Sequence, residues 1–356
     1  MRLHGIDILR GLAVSVVVLY HFYALLDLHH HGTYPIVYTL GQLGVPLFFV
    51  ISGYLIYRSI DYSVQTKGTF NGLKHYTLHR LFRILPAYYV NLFVVFIIAY
   101  FFSSYMNGWS NGFILKQILS HLTFTPFFIY QTSGLGVNGA YWTLGIEMLW
   151  YILAPLMLLF IKKERYFVLL FLLSFAYLLA LDLGYLDALL GIEISAANYL
   201  PLMFYWSFQI YGQLIYFIVG IWIYKYTSVH TRLPKSLLTL LVAIVLSLFL
   251  YTLLLKEVLD SFTLRNIVTL TGSALLFILL FRQEIKILSW LSWIGKISYS
   301  MYLWHMPILF FMKRYLLPLN YSMYFIVIVF VSLLLIVSSL SYYYIEKYRL
   351  KSTSNK

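Results

Sequence analysis

The stretch YSMYFIVIVFVSLLLIVSSLSYYY, residues 321–344, runs for 24 residues without a charged side chain. A helix rises about 1.5 Å per residue, so about 20 such residues cross a hydrocarbon core of about 30 Å. The same reading, carried outward along the chain, yields nine further spans at 8–27, 37–57, 82–103, 141–161, 165–182, 203–224, 236–255, 263–281 and 294–312. Residues 113–130 are apolar as well. Lys116, His121 and Pro126 interrupt them, so they read as an interfacial or re-entrant helix. The first span lacks a small-x-small cleavage site and carries His21 inside its apolar run, which argues against a cleaved leader. The expected fold is all-α: a polytopic transmembrane helical bundle of about ten spans.

Composition supports this. The 356 residues are 62% hydrophobic and only 10% charged, where a soluble domain carries about 25% charged residues. A soluble enzyme is excluded. With no cysteine in the chain, disulfide scaffolds, thiolate metal sites and thiol nucleophiles are excluded too. The net charge of +13 would suit nucleic acid, but its distribution points elsewhere. With the N-terminus in the cytoplasm, the cytoplasmic segments hold 20 of the 25 Lys and Arg residues, and the outer side only Lys116, Lys256, Arg265, Lys313 and Arg314. The charge therefore serves topology, both termini are expected in the cytoplasm, and no nucleic-acid partner is implied. The chain reads as one transmembrane domain, 1–346, with a short basic cytoplasmic tail, 347–356, in the cell membrane.

Titratable groups inside hydrocarbon are costly and point to function. Only Glu147 among the carboxylates, and His21 and His305 among the histidines, fall well within spans. His21 and Glu147 each lie about 9 Å below the outer end of their span, and His305 lies at a similar level, so a shared site is geometrically possible. Arg10 and His21 are eleven residues apart, which places them within about 20° on one helix face and about 16 Å apart along it. Imidazole is the natural general base near neutral pH, and arginine the natural partner of phosphate or carboxylate. His79, Arg80 and Arg83 precede the third span, and the spacing of the two arginines puts them on one side of an expected helix start, a plausible anion clamp. As plain structure, Arg10 is a topology anchor, the arginine pair a lipid-headgroup contact, and Glu147 a buried carboxylate satisfied by a nearby Tyr or Trp. The His29–His30–His31 run reads as a solvated loop, and no metal site is expected.

These residues sit in a wider pattern. Leu-His-Gly-Ile-Asp-Ile-Leu-Arg-Gly-Leu-Ala at 3–13 followed by His21, Gly44–Ile56, Arg80-Leu81-Phe82-Arg83 with Pro86, Tyr141–Glu147 through Tyr151, and Gly295–His305 with Pro307 resemble, in order, the motifs of the integral-membrane acyltransferase-3 family. Two positions depart from it, Pro46 and Met148, where many members carry acidic residues; both vary within the family and are read as bearing on the acceptor. The chain as given shows no appended hydrolase-like domain after the tenth span, so the membrane domain is expected to act alone or to hand over to another protein.

The resemblance implies an O-acyltransferase that moves an acyl group, commonly acetyl, from cytoplasmic acyl-CoA to a hydroxyl of a cell-surface or lipid-linked carbohydrate. Acyl-CoA is then a co-substrate, and no bound cofactor is expected. Carried over, Arg10, Arg80 and Arg83 hold the CoA phosphates, and His21 deprotonates the acceptor with Glu147 orienting or charge-stabilising the imidazole. Tyr141, Trp142, Tyr302, Trp304 and His305 are candidates for the acceptor side, where aromatic faces suit sugar rings. A non-enzymatic alternative is a transporter or flippase of a lipid-linked glycan or small anion, which mid-depth titratable groups would also suit. Against it, the sequence shows neither an internal repeat nor a pair of broken helices.

Overall fold

The computed structural model describes residues 4–101, 106–133, 137–160, 163–186, 199–229, 261–283 and 285–347. Its regular elements are helical, as expected. Helices α1 (His4–Leu25), α2 (Tyr34–Lys67), α3 (Thr69–Phe101), α5 (Tyr141–Phe160), α6 (Glu164–Asp182), α8 (Ile210–Val229), α9 (Phe262–Leu280) and α12 (Met323–Ser341) form the bulk of the bundle. Shorter pieces, α4 (Asn111–Leu122), α7 (Tyr199–Ser207), α10 (Ser289–Lys296) and α11 (Ser298–Tyr315), fill the gaps. Among the described residues eight helices are long and apolar enough to cross a membrane. This is a multi-pass membrane protein.

Two of the expected spans are not among the eight. Residues 236–255 lie outside the described residues. Residues 294–312 divide at Ile297 into the end of α10 and the 18-residue α11. Ser298, Ser300, His305, Lys313 and Arg314 make α11 too polar to qualify by composition, and its middle is walled in by protein instead: Ser300, Met301, Leu303 and His305 are all buried. Residues 113–130 hold α4 and a series of turns, short of a span.

Helices α2 and α3 are longer than hydropathy indicates. The segment 58–81, which reads as a loop, is helical except at Gly68, whose φ of 75° makes the reversal. The two extensions pack on each other: Ile60 and Tyr76 are buried, and a Cβ on Gly72 would strike the backbone of Ser63 and Val64. Hydropathy ends a span where charges begin, but Arg58, Lys67 and Lys74 are all compatible with helix.

Helix α2 lies at the centre, packed most extensively on α8 and α1. Between apolar helices in lipid there is little hydrophobic drive, so close backbone approach and van der Waals contact must hold them. Gly53 and Gly220 face each other across α2 and α8, and a Cβ on Gly53 would meet Phe217 Cα at 2.8 Å. Similarly, Gly11 abuts Leu291 and Gly295 abuts Asp7, locking α1 to α10. These contacts fix α1 and α2, two walls of the interior described next.

Candidate active site

Two cavities are stacked along α1. The first, with an empty volume of about 770 Å³, is lined by Arg10, Ser52, Arg80, Arg83, Glu147, Tyr151 and a wall of apolar side chains. It collects three guanidiniums and one carboxylate from α1, α3 and α5. Arg80 is buried at 8% exposure, yet among the described residues its only hydrogen bond is a long one, from Nη2 to the Leu55 carbonyl at 3.5 Å. Its Nε meets no partner among them, and its guanidinium lies 5.7 Å from the Tyr76 ring and 5.8 Å from the Tyr151 ring. A buried cation with most of its donors unspent is expensive unless an anion completes it. Glu147 Oε1 accepts from Tyr151 OH at 2.8 Å and from Ser52 Oγ at 3.1 Å, and among the described residues no guanidinium comes into ion-pair contact with it. The cavity thus retains a positive excess. Arg80 and Arg83 do not stand at a helix start, since α3 begins at Thr69; their side chains enter the cavity from mid-helix.

The second cavity, with an empty volume of about 1720 Å³, is lined by His21, Gln42, Trp142, Gln213, Tyr216, Arg265, Asn266 and Thr269 among others. Val45 and Tyr302 line both cavities, and Phe48 meets Tyr302 edge-on with ring centroids 6.0 Å apart. These three side chains form a waist between the two spaces. Because α1 is continuous, Arg10 in one cavity and His21 in the other are about 16 Å apart along the axis.

His21 Nδ1 lies 3.0 Å from the Val17 carbonyl oxygen and 3.2 Å from His305 Nε2. His305 Nδ1 lies 2.8 Å from the Tyr302 carbonyl oxygen. A carbonyl only accepts, so each Nδ1 carries a proton. His305 Nε2 is then a bare acceptor for the second branch of the His21 Nδ1–H bond, and His21 Nε2 keeps its lone pair. That is the tautomer a general base requires.

The residues singled out from sequence therefore separate into groups. Arg10, Arg80, Arg83 and Glu147 share the first cavity. His21, Trp142 and Tyr302 line the second, Trp142 stacking on Phe208 at 4.2 Å. The expected partnership of Glu147 with His21 is not formed: Glu147 is engaged by Ser52 and Tyr151, and His305 occupies the place beside the imidazole. The reason is depth: α5 begins at Tyr141, which is itself buried, so counting from the end of the span understates how deep Glu147 lies, and it reaches the arginine cavity across the waist from His21. His305 is fully buried behind His21 and lines neither cavity. Tyr141 is also buried away from both, donating to Asn91 Oδ1 at 2.5 Å. Trp304 lines neither, and its Nε1 is buried without a partner.

Sequence reasoning allowed a nearby Tyr as partner of Glu147, which is Tyr151, and missed Ser52, a polar group inside an apolar run. It also treated Asp7 and Glu346 as boundary residues. Both are buried, at 3% and 4% exposure, and Glu346 accepts from Ser300 Oγ. Arg265 was counted only as an outer charge.

The family model described as "Acyltransferase domain" matches residues 3–342. The peptidoglycan O-acetyltransferase OatA of Listeria monocytogenes is 28% identical over 342 aligned positions, covering 86% of this chain and 49% of the relative. A provisionally named O-acetyltransferase of Staphylococcus aureus is 27% identical over 96% of this chain and 56% of its own length. The chain thus spans about half the length of these two bacterial relatives. A provisionally named acetyltransferase of Acidianus two-tailed virus is 28% identical over 84% of this chain and 81% of its own. No solved structure matches the chain. By the extent of that match this chain belongs to the acyltransferase-3 family, and its membrane bundle is an acyltransferase domain.

Proposed function

We propose that the protein transfers an acyl group, acetyl in the simplest case, from cytoplasmic acyl-CoA to a hydroxyl of a cell-surface or lipid-linked carbohydrate at the opposite face of the cell membrane. The observation that carries this reading is the pair of neighbouring cavities that share Val45 and Tyr302 in their walls, one rich in arginine and one containing the basic imidazole. In the topology set by Lys and Arg placement, the arginine cavity faces the cytoplasm, where CoA is found, and the His21 cavity opens outward. A carrier would need no such division into an anion clamp and a base.

Arg10, Arg80 and Arg83 bind the phosphates of CoA, and the thin pantetheine arm rises past the waist toward His21, over a distance of the order of the separation on α1. His21 Nε2 takes the proton of the acceptor hydroxyl as that oxygen attacks the thioester carbonyl. The new C–O bond forms, the C–S bond breaks, and the imidazolium returns its proton to the departing thiolate. Throughout, the bare Nε2 of His305 accepts from His21 Nδ1–H, holding the ring in orientation and easing its transient positive charge. Glu147 does not touch the base. It balances part of the arginine charge and, through Ser52 and Tyr151, ties α5 to α2 at the base of the donor cavity. Trp142 offers a flat face to a sugar ring.

The test is incorporation of label from acetyl-CoA into an ester-linked product by purified protein in nanodiscs, supplied with candidate glycans. His21→Ala should abolish transfer in a protein that still inserts and melts normally, while Arg80→Ala and Arg83→Ala raise KM for acetyl-CoA more than KM for the acceptor. Transfer retained by His21→Ala would remove His21 from the chemistry.

A further inference from the structure

Resting on the reading above, we propose that Gln42 is a further catalytic residue: its side-chain amide donates to the thioester carbonyl oxygen as the acceptor hydroxyl attacks, which makes it the oxyanion donor of the transfer. Gln42 lines the cavity that contains His21. It lies on α2 between Tyr38 and Val45, at spacings of four and three, so the three share one helix face, and all three border that cavity. Among the described residues nothing hydrogen-bonds the Gln42 amide.

The height of Gln42 follows from the register of α1 against α2. A Cβ on Gly41 would strike Tyr20 Cβ at 2.5 Å, and one on Gly44 would strike Val17 Cγ2 at 2.4 Å. Three residues forward on α2 thus match three back on α1, and the two helices are antiparallel. Gln42 stands level with Leu19, two residues or about 3 Å from the level of His21 toward the waist. Val45, at the waist, is three residues or about 4.5 Å further along α2. Helical side chains lean toward the N-terminus of their own helix, which on antiparallel neighbours turns His21 and Gln42 toward one level. The lean of His21 is visible in its contact with the Val17 carbonyl one turn back, at 3.0 Å. A thioester carried through the waist toward His21 Nε2 therefore comes to rest beside the Gln42 amide.

Tyr302, the polar side chain at the waist itself, is already spent: its hydroxyl donates to the Ala140 carbonyl at 3.1 Å and accepts from Thr143 Oγ1 at 2.8 Å. The other two amides of the described wall are engaged too, Gln213 Nε2 with the Ser207 carbonyl at 3.0 Å and Asn266 Nδ2 with the Phe262 carbonyl at 2.7 Å. Tyr20 packs on Tyr38, ring centroids 5.9 Å apart, so these two rings stand on the far side of Gln42 from the waist. As the C–O bond forms, the carbonyl electron pair moves onto oxygen, and a fixed donor there stabilises the charge. As the C–S bond breaks, that pair returns to the carbonyl and the thiolate leaves with the proton held by His21. Gln42 exchanges no proton; its hydrogen bond tightens and then relaxes.

Gln42→Met keeps the length of the side chain and removes the donor. In nanodiscs, with both substrates varied, it should lower kcat for transfer from acetyl-CoA by about 10²–10³-fold, with both KM values within about threefold of wild type. The trifluoroacetonyl thioether of CoA, whose carbonyl hydrates to a tetrahedral centre, should lose affinity by a comparable factor, while CoA itself should bind as to wild type. Gln42→Glu, close in shape but without the N–H donors, should behave alike and decides the matter if the Met variant melts low. A kcat within about threefold of wild type, a raised acceptor KM at unchanged kcat, or unaltered affinity for the tetrahedral analogue would overturn the assignment of Gln42 and leave the transferase reading standing. Wild type that transfers no acetyl group to any glycan would overturn both.

Discussion

Removing His305 should slow acyl transfer by about twofold to tenfold, far less than removing His21. The imidazole of His21 is held by a branched hydrogen bond, with the Val17 carbonyl at 3.0 Å and His305 Nε2 at 3.2 Å. His305→Ala deletes the longer branch and leaves the shorter, so Nδ1 keeps its proton and Nε2 remains the base. The loss is therefore that of one neutral hydrogen bond to an oriented ring, about 0.5–1.5 kcal/mol, or roughly twofold to tenfold in kcat. His21→Ala removes the base itself, worth about 10²–10⁴-fold. The assay is initial-rate transfer from acetyl-CoA with both substrates varied, accompanied by a melting curve for each variant. KM for acetyl-CoA should not move, because His305 lines neither cavity, and His305→Gln, which places an amide oxygen near the lost acceptor, should recover most of kcat. If His305→Ala fell as far as His21→Ala while melting like wild type, His305 would be acting on the reacting atoms directly, and the positioning argument would be wrong.

Arg80→Ala should raise KM for acetyl-CoA by about 10–100-fold, the worth of one or two charge-assisted hydrogen bonds. Arg80→Lys should recover only part of it, because the flat guanidinium seated against Tyr76 and Tyr151 is lost; an unchanged KM would separate this cavity from the donor. Gly53→Ala should lower the melting temperature in detergent, at a cost of about 1–3 kcal/mol, since its Cβ would be driven into the Phe217 backbone. Adding Gly220→Ala should cost less than the sum, because both glycines serve one contact. His121, on α4, is held by burial at a pKa of about 4 against its usual 6.5. An unfolded chain takes that proton below about pH 6.5 and the folded protein only near about 4, so stability should fall as pH drops through this window. Comparing melting curves of wild type and His121→Gln across it should show a shallower decline in the variant, and parallel curves would refute the assignment.

The spans and the arginine cluster are legible in the sequence because charge is scarce in it: in a chain with 10% charged residues, each ionised or titratable group within an apolar run stands out. The α2–α3 hairpin is not legible from hydropathy, which locates the slab of hydrocarbon and is blind to helix that continues past it. Helix α11 is legible as the span 294–312, but the break at Ile297 that divides it from α10 is not. The pairing within the site is the least accessible part. Residue counting assigns His21, Glu147 and His305 one depth, whereas Glu147 lies across the waist from His21, and which side chains touch depends also on the rotation of α1, α5 and α11 about their axes. Gly11 and Gly295, which lock α1 to α10 by backbone contact, help set that rotation, and nothing in the local composition around His21 reports it. Arg265 was missed for a related reason, since a basic residue near a span end usually serves topology and only the tertiary arrangement turns this one inward.

The waist at Val45, Phe48 and Tyr302 has an electrical consequence. A bundle open from face to face would let ions run down their gradients and drain the energy stored across the membrane. In the proposed arrangement donor and acceptor approach the waist from opposite sides, and the pantetheine arm that reaches through it fills it. Net transfer amounts to a small uncharged acyl fragment, while the charged nucleotide and the sugar stay on their own sides. The aliphatic and aromatic side chains of the waist act as an insulating gasket, so widening it, for example with Phe48→Ala, should reveal itself first as ion leak in sealed vesicles.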